Sequence, residues 1–516
     1  MISKFFDKYF PAFIFLFIFG ISFFILHNNV YCIDDLAFTF LEGPIDITRE
    51  LGYGTWIMKI QYILMYIVPY YFCIDFQTWG QWFGALFKAL ILVFMSFYFY
   101  KLFIFKKISA LTSSILAISF YFLLFAFYSK TSYVDFSLFS GFFRFVVPSL
   151  LLFICLFYFY KIYSGEKVNL IHLFLLSGIS AYSSEVVAVI LLTFCCLLLL
   201  YKIICEKSNI SVFLLIFSGL FSGTLLLISS LGFQSHLSDK LHSTNIIWSN
   251  VFANVPEFTS LYFKTMIYDY WYVWVLIILL LFLNSVKKEF KDNIFVFSVI
   301  TGILAFSYSL IVLGKTHYSG NFWLIHDDIH TIFISVFVYC FAILFSTLLV
   351  KFNNSNFLKT FIILFFISSF SVFTFFAVKF YERLYIIKDY EYLREKITLF
   401  YSLKHEVPLI PVTALLYNPV LDDLKKIDYE KINDVHLEYL PLEYSDRTSG
   451  VDSMSKYYYP LSYGYQIPME SRDIIYLRHN EALELFKQKG GEYDEVLNRT
   501  YKFSDLKNYK FILNLK

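Results

Sequence analysis

Asp34 and Asp35 stand side by side in NNVYCIDDLAF, residues 28–38, a few residues beyond a first apolar segment that ends at Leu26. Two adjacent carboxylates near a membrane surface can take a proton from a hydroxyl or amine nucleophile, or share a divalent cation such as Mg2+ or Mn2+. They can equally be solvated loop acids. Arg144, in SKTSYVDFSLFSGFFRFVVP (129–148), falls where an apolar run resumes. A guanidinium there either snorkels to water or grips a phosphate with two parallel hydrogen bonds. Asp135, earlier in the same stretch, is a supporting polar group. Glu185 follows Ser183 and Ser184 and leads straight into apolar residues. It is either a working carboxylate at the membrane edge or a first-turn helix cap.

A fourth group lies in GKTHYSGNFWLIHDDIH, 314–330. Lys315 and His317 are candidate phosphate binders. His326 and His330 are four residues apart and share a face if that stretch is helical, with Asp327 and Asp328 between them. That spacing admits a metal ion, and a polar loop also produces it by chance. The loop 232–269 carries His236, Asp239, Lys240 and His242 among aromatics. It suits a sugar or lipid head group, or simply water.

The elements that must position these groups are membrane helices. Hydrophobic residues make up 58% of the 516 residues, aromatics 22% and charged residues only 16%. Soluble domains carry about 25% charged residues. Mean hydropathy is +0.63. The composition is that of a polytopic membrane protein. A net charge of +2 leaves no basic footprint for nucleic acid. The seven cysteines show neither a CxxC pair nor zinc-type spacing. Cys195 and Cys196 read as core thiols, and Cys32 and Cys73 lie where an outer-side disulfide is feasible.

Apolar runs place spans near 9–26, 80–100, 108–128, 146–161, 170–182, 184–201, 210–231, 270–286, 293–313, 330–350 and 358–379, about eleven in all. The stretch 170–201 reads either as one long helix or as two short ones broken at SGISAYSSE. No small-residue cleavage pattern follows the first run, which reads as an uncleaved anchor. Lys4 and Lys8, then Lys101, Lys106 and Lys107, Lys161 and Lys167, Lys202 and Lys207, Lys287, Lys288 and Lys291, and Lys351 and Lys359 fall in alternate connections. The positive-inside rule puts all of them, and the N-terminus, in the cytoplasm. The acidic pair then faces outward, in a first outer loop 27–79. Within that loop, WIMKIQYILMYIVPYYF (56–72) is apolar enough to span, but a span there would reverse every later lysine. It is expected to be an interfacial helix.

The chain divides into a transmembrane part, 1–380, and an extracytoplasmic tail, 381–516. YERLYIIKDYEYLREKI continues the last span as a helix, VPLIPVTALLYNP reads as a strand and turn, and KYYYPLSYGYQIP as an aromatic loop. The expected fold class is an α-helical polytopic membrane protein with a small α/β C-terminal domain.

An acidic pair soon after span one, IDDL at 33–36, an interfacial helix in the same loop, about eleven spans and an outer tail together resemble the GT-C superfamily of membrane glycosyltransferases. That group includes the protein O-mannosyltransferases and the lipid A aminoarabinose transferases. FSGFFRFVVP (139–148) is similar to a span entry in bacterial relatives, and SSEVV (183–187) offers a third match. The WWD-type motif of oligosaccharyltransferases is absent from the tail. The resemblance implies a polyprenyl-phosphate-linked sugar as donor, and a glycan, lipid or protein acceptor at the outer face of the cytoplasmic membrane. It implies Asp34 or Asp35 as base, and Arg144 with Lys315 or His317 on the departing phosphate. Metal use stays open, between none and Mg2+ or Mn2+ held by Asp34, Asp35, His326, Asp327 and His330. A surface-polysaccharide polymerase or ligase and a lipid-linked glycan flippase are the competing expectations.

Overall fold

The computed structural model describes residues 2–28, 55–72, 76–131, 136, 141–206, 210–230, 271, 274–285, 290–317, 322–351, 356–403, 409–413 and 473–477; it describes no side chain in 2–8, 305–330, 385–403 or the two strands. Helices dominate because every backbone N–H and C=O inside hydrocarbon needs a partner within its own segment. In chain order these are α1 (Ile2–Leu26), α2 (Trp56–Tyr62, continued by a π turn Ile63–Ile67 and by Val68–Phe72), α3 (Gly80–Phe105), α4 (Ala110–Thr131), α5 (Phe142–Tyr163), α6 (Leu170–Ala181), α7 (Glu185–Glu206), α8 (Ile210–Ile228), α9 (Trp274–Ser285), α10 (Phe290–His317), α11 (Phe322–Lys351) and α12 (Asn356–Leu403). Eight of them, among the described residues, are long and apolar enough to cross a membrane: α1, α3, α4, α5, α7, α8, α11 and α12.

The 170–201 region is two helices, with a turn at Tyr182–Ser183 between α6 and α7. With 12 residues, α6 is about 18 Å long and falls about 12 Å short of a bilayer core of about 30 Å. It therefore differs from the full span expected at 170–182. It packs against α8 through small residues. A Cβ on Gly219 would stand 2.7 Å from the carbonyl oxygen of Phe174, and one on Gly223 would collide with the carbonyl of Gly178. Without side chains at those points the two backbones touch, as small-residue crossings in membranes do.

The core is built from aromatic rings. Phe99 packs against Phe120, Phe153 and Tyr339 at centroid distances of 5.2–5.9 Å, and Phe345 and Phe365 continue the cluster at 5.0 Å. Buried serines return their protons to their own helices: Ser119 to Ile115 O, Ser149 to Phe145 O and Ser177 to Leu173 O. Two hydroxyl pairs cross between helices, Ser22 with Tyr121 at 2.7 Å and Tyr128 with Ser335 at 2.5 Å.

At the C-terminal side, α12 continues unbroken from Tyr381 to Leu403, about 33 Å beyond the span that it completes. The expected helical continuation is therefore present. β1 (Leu409–Thr413) and β2 (Asp473–Leu477) pair in parallel, Leu409 opposite Asp473 and Thr413 opposite Leu477. β1 falls inside the segment read as a strand and turn.

Candidate functional site

The bundle has two polar ends, and they differ. At one end four helix termini meet on a single carboxylate. Asp292, in the first turn of α10, accepts from Lys106 Nζ at 2.8 Å, from the Tyr160 hydroxyl at 2.6 Å and from Thr347 Oγ1 at 2.5 Å. Lys106 also donates to Thr347 Oγ1 at 3.2 Å and lies 4.8 Å over the Tyr160 ring. Lys202 pairs with Glu206 and sits over the Tyr163 ring nearby. This is the lysine-rich end. The ends of α3, α5, α10 and α11 that the lysine pattern assigned to one side do lie together.

The opposite end holds the candidate site. There α1 finishes against α3, with the His27 ring 4.5 Å edge-on from Trp82. The residues next in sequence lead to Asp34 and Asp35, which lie outside the described residues, as do Asp135, Cys32, Cys73 and the loop 232–269. The backbone of Lys315 and His317 belongs to the last turns of α10, and that of His326, Asp327 and His330 to the first turns of α11. His326 and His330 therefore do share one helix face, while their side chains are outside the described set. Among the described residues no group of three or more His, Cys, Asp or Glu side chains is placed to hold a metal ion.

Arg144 is the best-defined member. It sits in a π turn, Phe142–Val146, where α5 begins. Phe142, Phe143, Phe145 and Val146 are all buried, and Arg144 is the only exposed residue of α5. Its guanidinium lies 5.6 Å from the Phe145 ring centre. The extra residue of a π turn offsets side-chain direction from the α-helical progression, and π turns recur at functional sites. Two more flank it. Gly80–Gly84 opens α3, and Phe87 just after it stacks on Phe143 at 4.6 Å. Ile63–Ile67 interrupts α2.

Helix α2 lies across this end. Its first segment, Trp56–Tyr62, abuts the Arg144 π turn. The Trp56 indole donates to the carbonyl of Ile179 at 3.0 Å, and Lys59 Nζ to the Tyr182 hydroxyl at 3.4 Å. Ile179 O is one of the last carbonyls of α6, which the helix itself leaves without a partner. The shortness of α6 thus leaves a step in the bundle, and α2 docks on it. Trp79 Nε1 holds the middle of α2 by donating to Leu64 O at 2.9 Å. Glu185 is exposed in the first turn of α7, where the helix dipole favours a carboxylate. Its position three residues from Tyr182 brings it to the same step.

Two residues escaped the sequence reading. Lys88 is fully buried within α3, eight residues from Gly80, and donates to the carbonyl oxygen of Phe136 at 3.3 Å. Asp292 is the hub of the lysine-rich end. Lys88 is a lone charge in an apolar run, a signal that marks an intramembrane site by default, whereas Asp292 closes the charged run KKEFKD and carried no such signal. The GxxxG spacing of Gly219 and Gly223 was equally visible.

No family model, curated protein or solved structure matches this chain.

Proposed function

We propose that this chain is a membrane glycosyltransferase of the GT-C kind. It crosses the cytoplasmic membrane about eleven times, keeps its lysine-rich end in the cytoplasm, and carries an extracytoplasmic tail of α/β type from residue 381. The donor is a polyprenyl-phosphate-linked sugar presented from the lipid, and the acceptor is a glycan, lipid or protein hydroxyl. The observation that carries the reading is the exposure of Arg144 in a π turn whose other four residues are buried, at the end where α1 delivers the chain toward Asp34 and Asp35. A cation open to solvent beside lipid-facing helices suits a phosphate whose tail stays in the bilayer.

In the proposed step, Asp34 or Asp35 accepts the proton of the acceptor hydroxyl. The freed oxygen forms a bond to the anomeric carbon, and the bond from that carbon to the phosphate oxygen breaks. The phosphate leaves with the electron pair, its charge met by Arg144, with Lys315 or His317 in support. Attack in line inverts the anomeric centre. If the carboxylate pair also holds Mg2+ or Mn2+, that ion would add positive charge near the phosphate.

A mass profile of surface glycans and lipid-linked sugars tests this, in cells lacking the protein and complemented with wild type, Asp34→Asn, Asp35→Asn or Arg144→Gln at equal expression. One Asn variant and Arg144→Gln should match the deletion. A wild-type profile from all three sinks the transferase reading. A second reading, a lipid-linked glycan flippase, is favoured by the buried Lys88 and Asp292, since charges inside a membrane bundle recur along transport pathways. A polymerase or ligase would use the same donor and is separated by the chain length of the accumulating product.

A further inference from the structure

We infer that Lys88 is a positioning residue. It holds Phe136 inside the bundle and, through Phe142, supports the π turn that presents Arg144. The inference rests on the reading of this end as the transfer site, although its first test does not.

Lys88 lies about 12 Å along α3 from Gly80 and is completely buried. Its ammonium donates to the main-chain oxygen of Phe136 at 3.3 Å and stands 5.2 Å from the centre of the Phe142 ring. Phe136 is five residues past the end of α4 and six before the π turn, yet it too is wholly buried. Its ring meets Phe125 at 5.2 Å, Tyr128 at 5.4 Å, Phe142 at 6.0 Å and Phe380 at 5.2 Å. Phe136, itself helical, is thus set among α4, α5 and α12. A buried carbonyl oxygen has two lone pairs to satisfy, and Lys88 donates to this one. A buried ammonium in turn needs acceptors, and the carbonyl dipole and the face of Phe142 are two of them. One side chain therefore ties α3 both to Phe136 and to the first residue of the π turn. Arg144 is two residues further on.

The test introduces Phe136→Cys into the full-length protein in membrane vesicles, treated with a membrane-impermeant maleimide and read against the parent carrying its native cysteines. With Lys88 present the new thiol should react slowly. With Lys88→Met it should react about tenfold faster or more, as a locally opened segment does. Lys88→Arg should restore protection. Equal protection with and without Lys88, or fast labelling while Lys88 is present, overturns the inference. If Lys88→Met fails to fold, Lys88→Gln serves, its shorter side chain unable to reach the carbonyl; slow labelling in that variant overturns the inference as well. In the glycan profile, Lys88→Met should lower transfer and Lys88→Arg recover it. Lost protection with unchanged transfer would reject the positioning role. Should the Asp34, Asp35 and Arg144 variants all leave glycans unchanged, the transferase reading falls while the labelling result stands by itself.

Discussion

The two polar ends of the bundle solve opposite problems. At the lysine-rich end Asp292 is answered by an ammonium and two hydroxyls from three other helices, and its side chain is almost entirely shielded from solvent. At the opposite end a guanidinium projects from a π turn whose other residues are buried, beside further π turns and a docked helix. A charge that is fully paired resists motion and binds nothing further. A charge left exposed on a buried helix is unspent in folding and is available to a ligand. The comparison teaches where to look for chemistry: at the end whose polar groups the fold has not consumed.

Four outcomes break or sharpen that contrast. The largest effect belongs to Asp292→Ala. It strands Lys106, Tyr160 and Thr347 in a buried site and should cost about 3–5 kcal/mol, seen as a large fall in the melting temperature of the detergent-purified protein. Asp292→Asn, which keeps acceptor capacity, should lose less. A melting temperature unchanged in the Ala variant would mean that this end is not a lock. Gly223→Leu comes next. Its side chain must displace the backbone of α6 at Gly178, and overpacking of that kind costs about 1–3 kcal/mol. Because α6 also carries the step on which α2 docks, the same variant should loosen α2, read as faster proteolysis within 51–72.

A smaller effect is expected of Trp56→Phe combined with Lys59→Met, which remove two hydrogen bonds worth about 1 kcal/mol each. The measurement is thiol accessibility along α2, and an unaltered pattern would show that the bonds do not set its place. The smallest change in stability, within about 0.5 kcal/mol, belongs to Arg144→Gln, since among the described residues its exposed guanidinium meets only the Phe145 ring. Its glycan profile should nonetheless match the deletion. A variant that is both stable and active would leave the contrast between the ends without functional meaning.

The apolar runs at 9–26, 80–100, 108–128 and 330–350 are helices at close to their expected places, and alternate lysines mark ends that do converge. Both follow from local physics, because a backbone in hydrocarbon has few alternatives to a helix, and lysine's cost of transfer depends little on its neighbours. The candidate site was legible residue by residue but not as an assembly. Arg144 could be named from the apolar run around it, but its exposure depends on a π turn that no composition announces. Lys88 was passed over because a single lysine in ALFKALIL reads as an ordinary interruption until Phe136, 48 residues away, is placed beside it. The bounds of α6 were legible at 170–182 but its standing as a full span was not: apolar composition marks a segment as insoluble in water, but whether it crosses fully or stops short depends on what packs at its end.

The chain by itself therefore determined that it is a helical membrane protein, which segments are helices and which of their ends share a side, since these depend on transfer free energies summed over neighbouring residues. Only the tertiary structure decided which charges are consumed in pairs, where α2 rests and that Arg144 stays at the surface of its π turn. Those depend on contacts between residues far apart in sequence, and on distances of a few ångströms that no local pattern encodes.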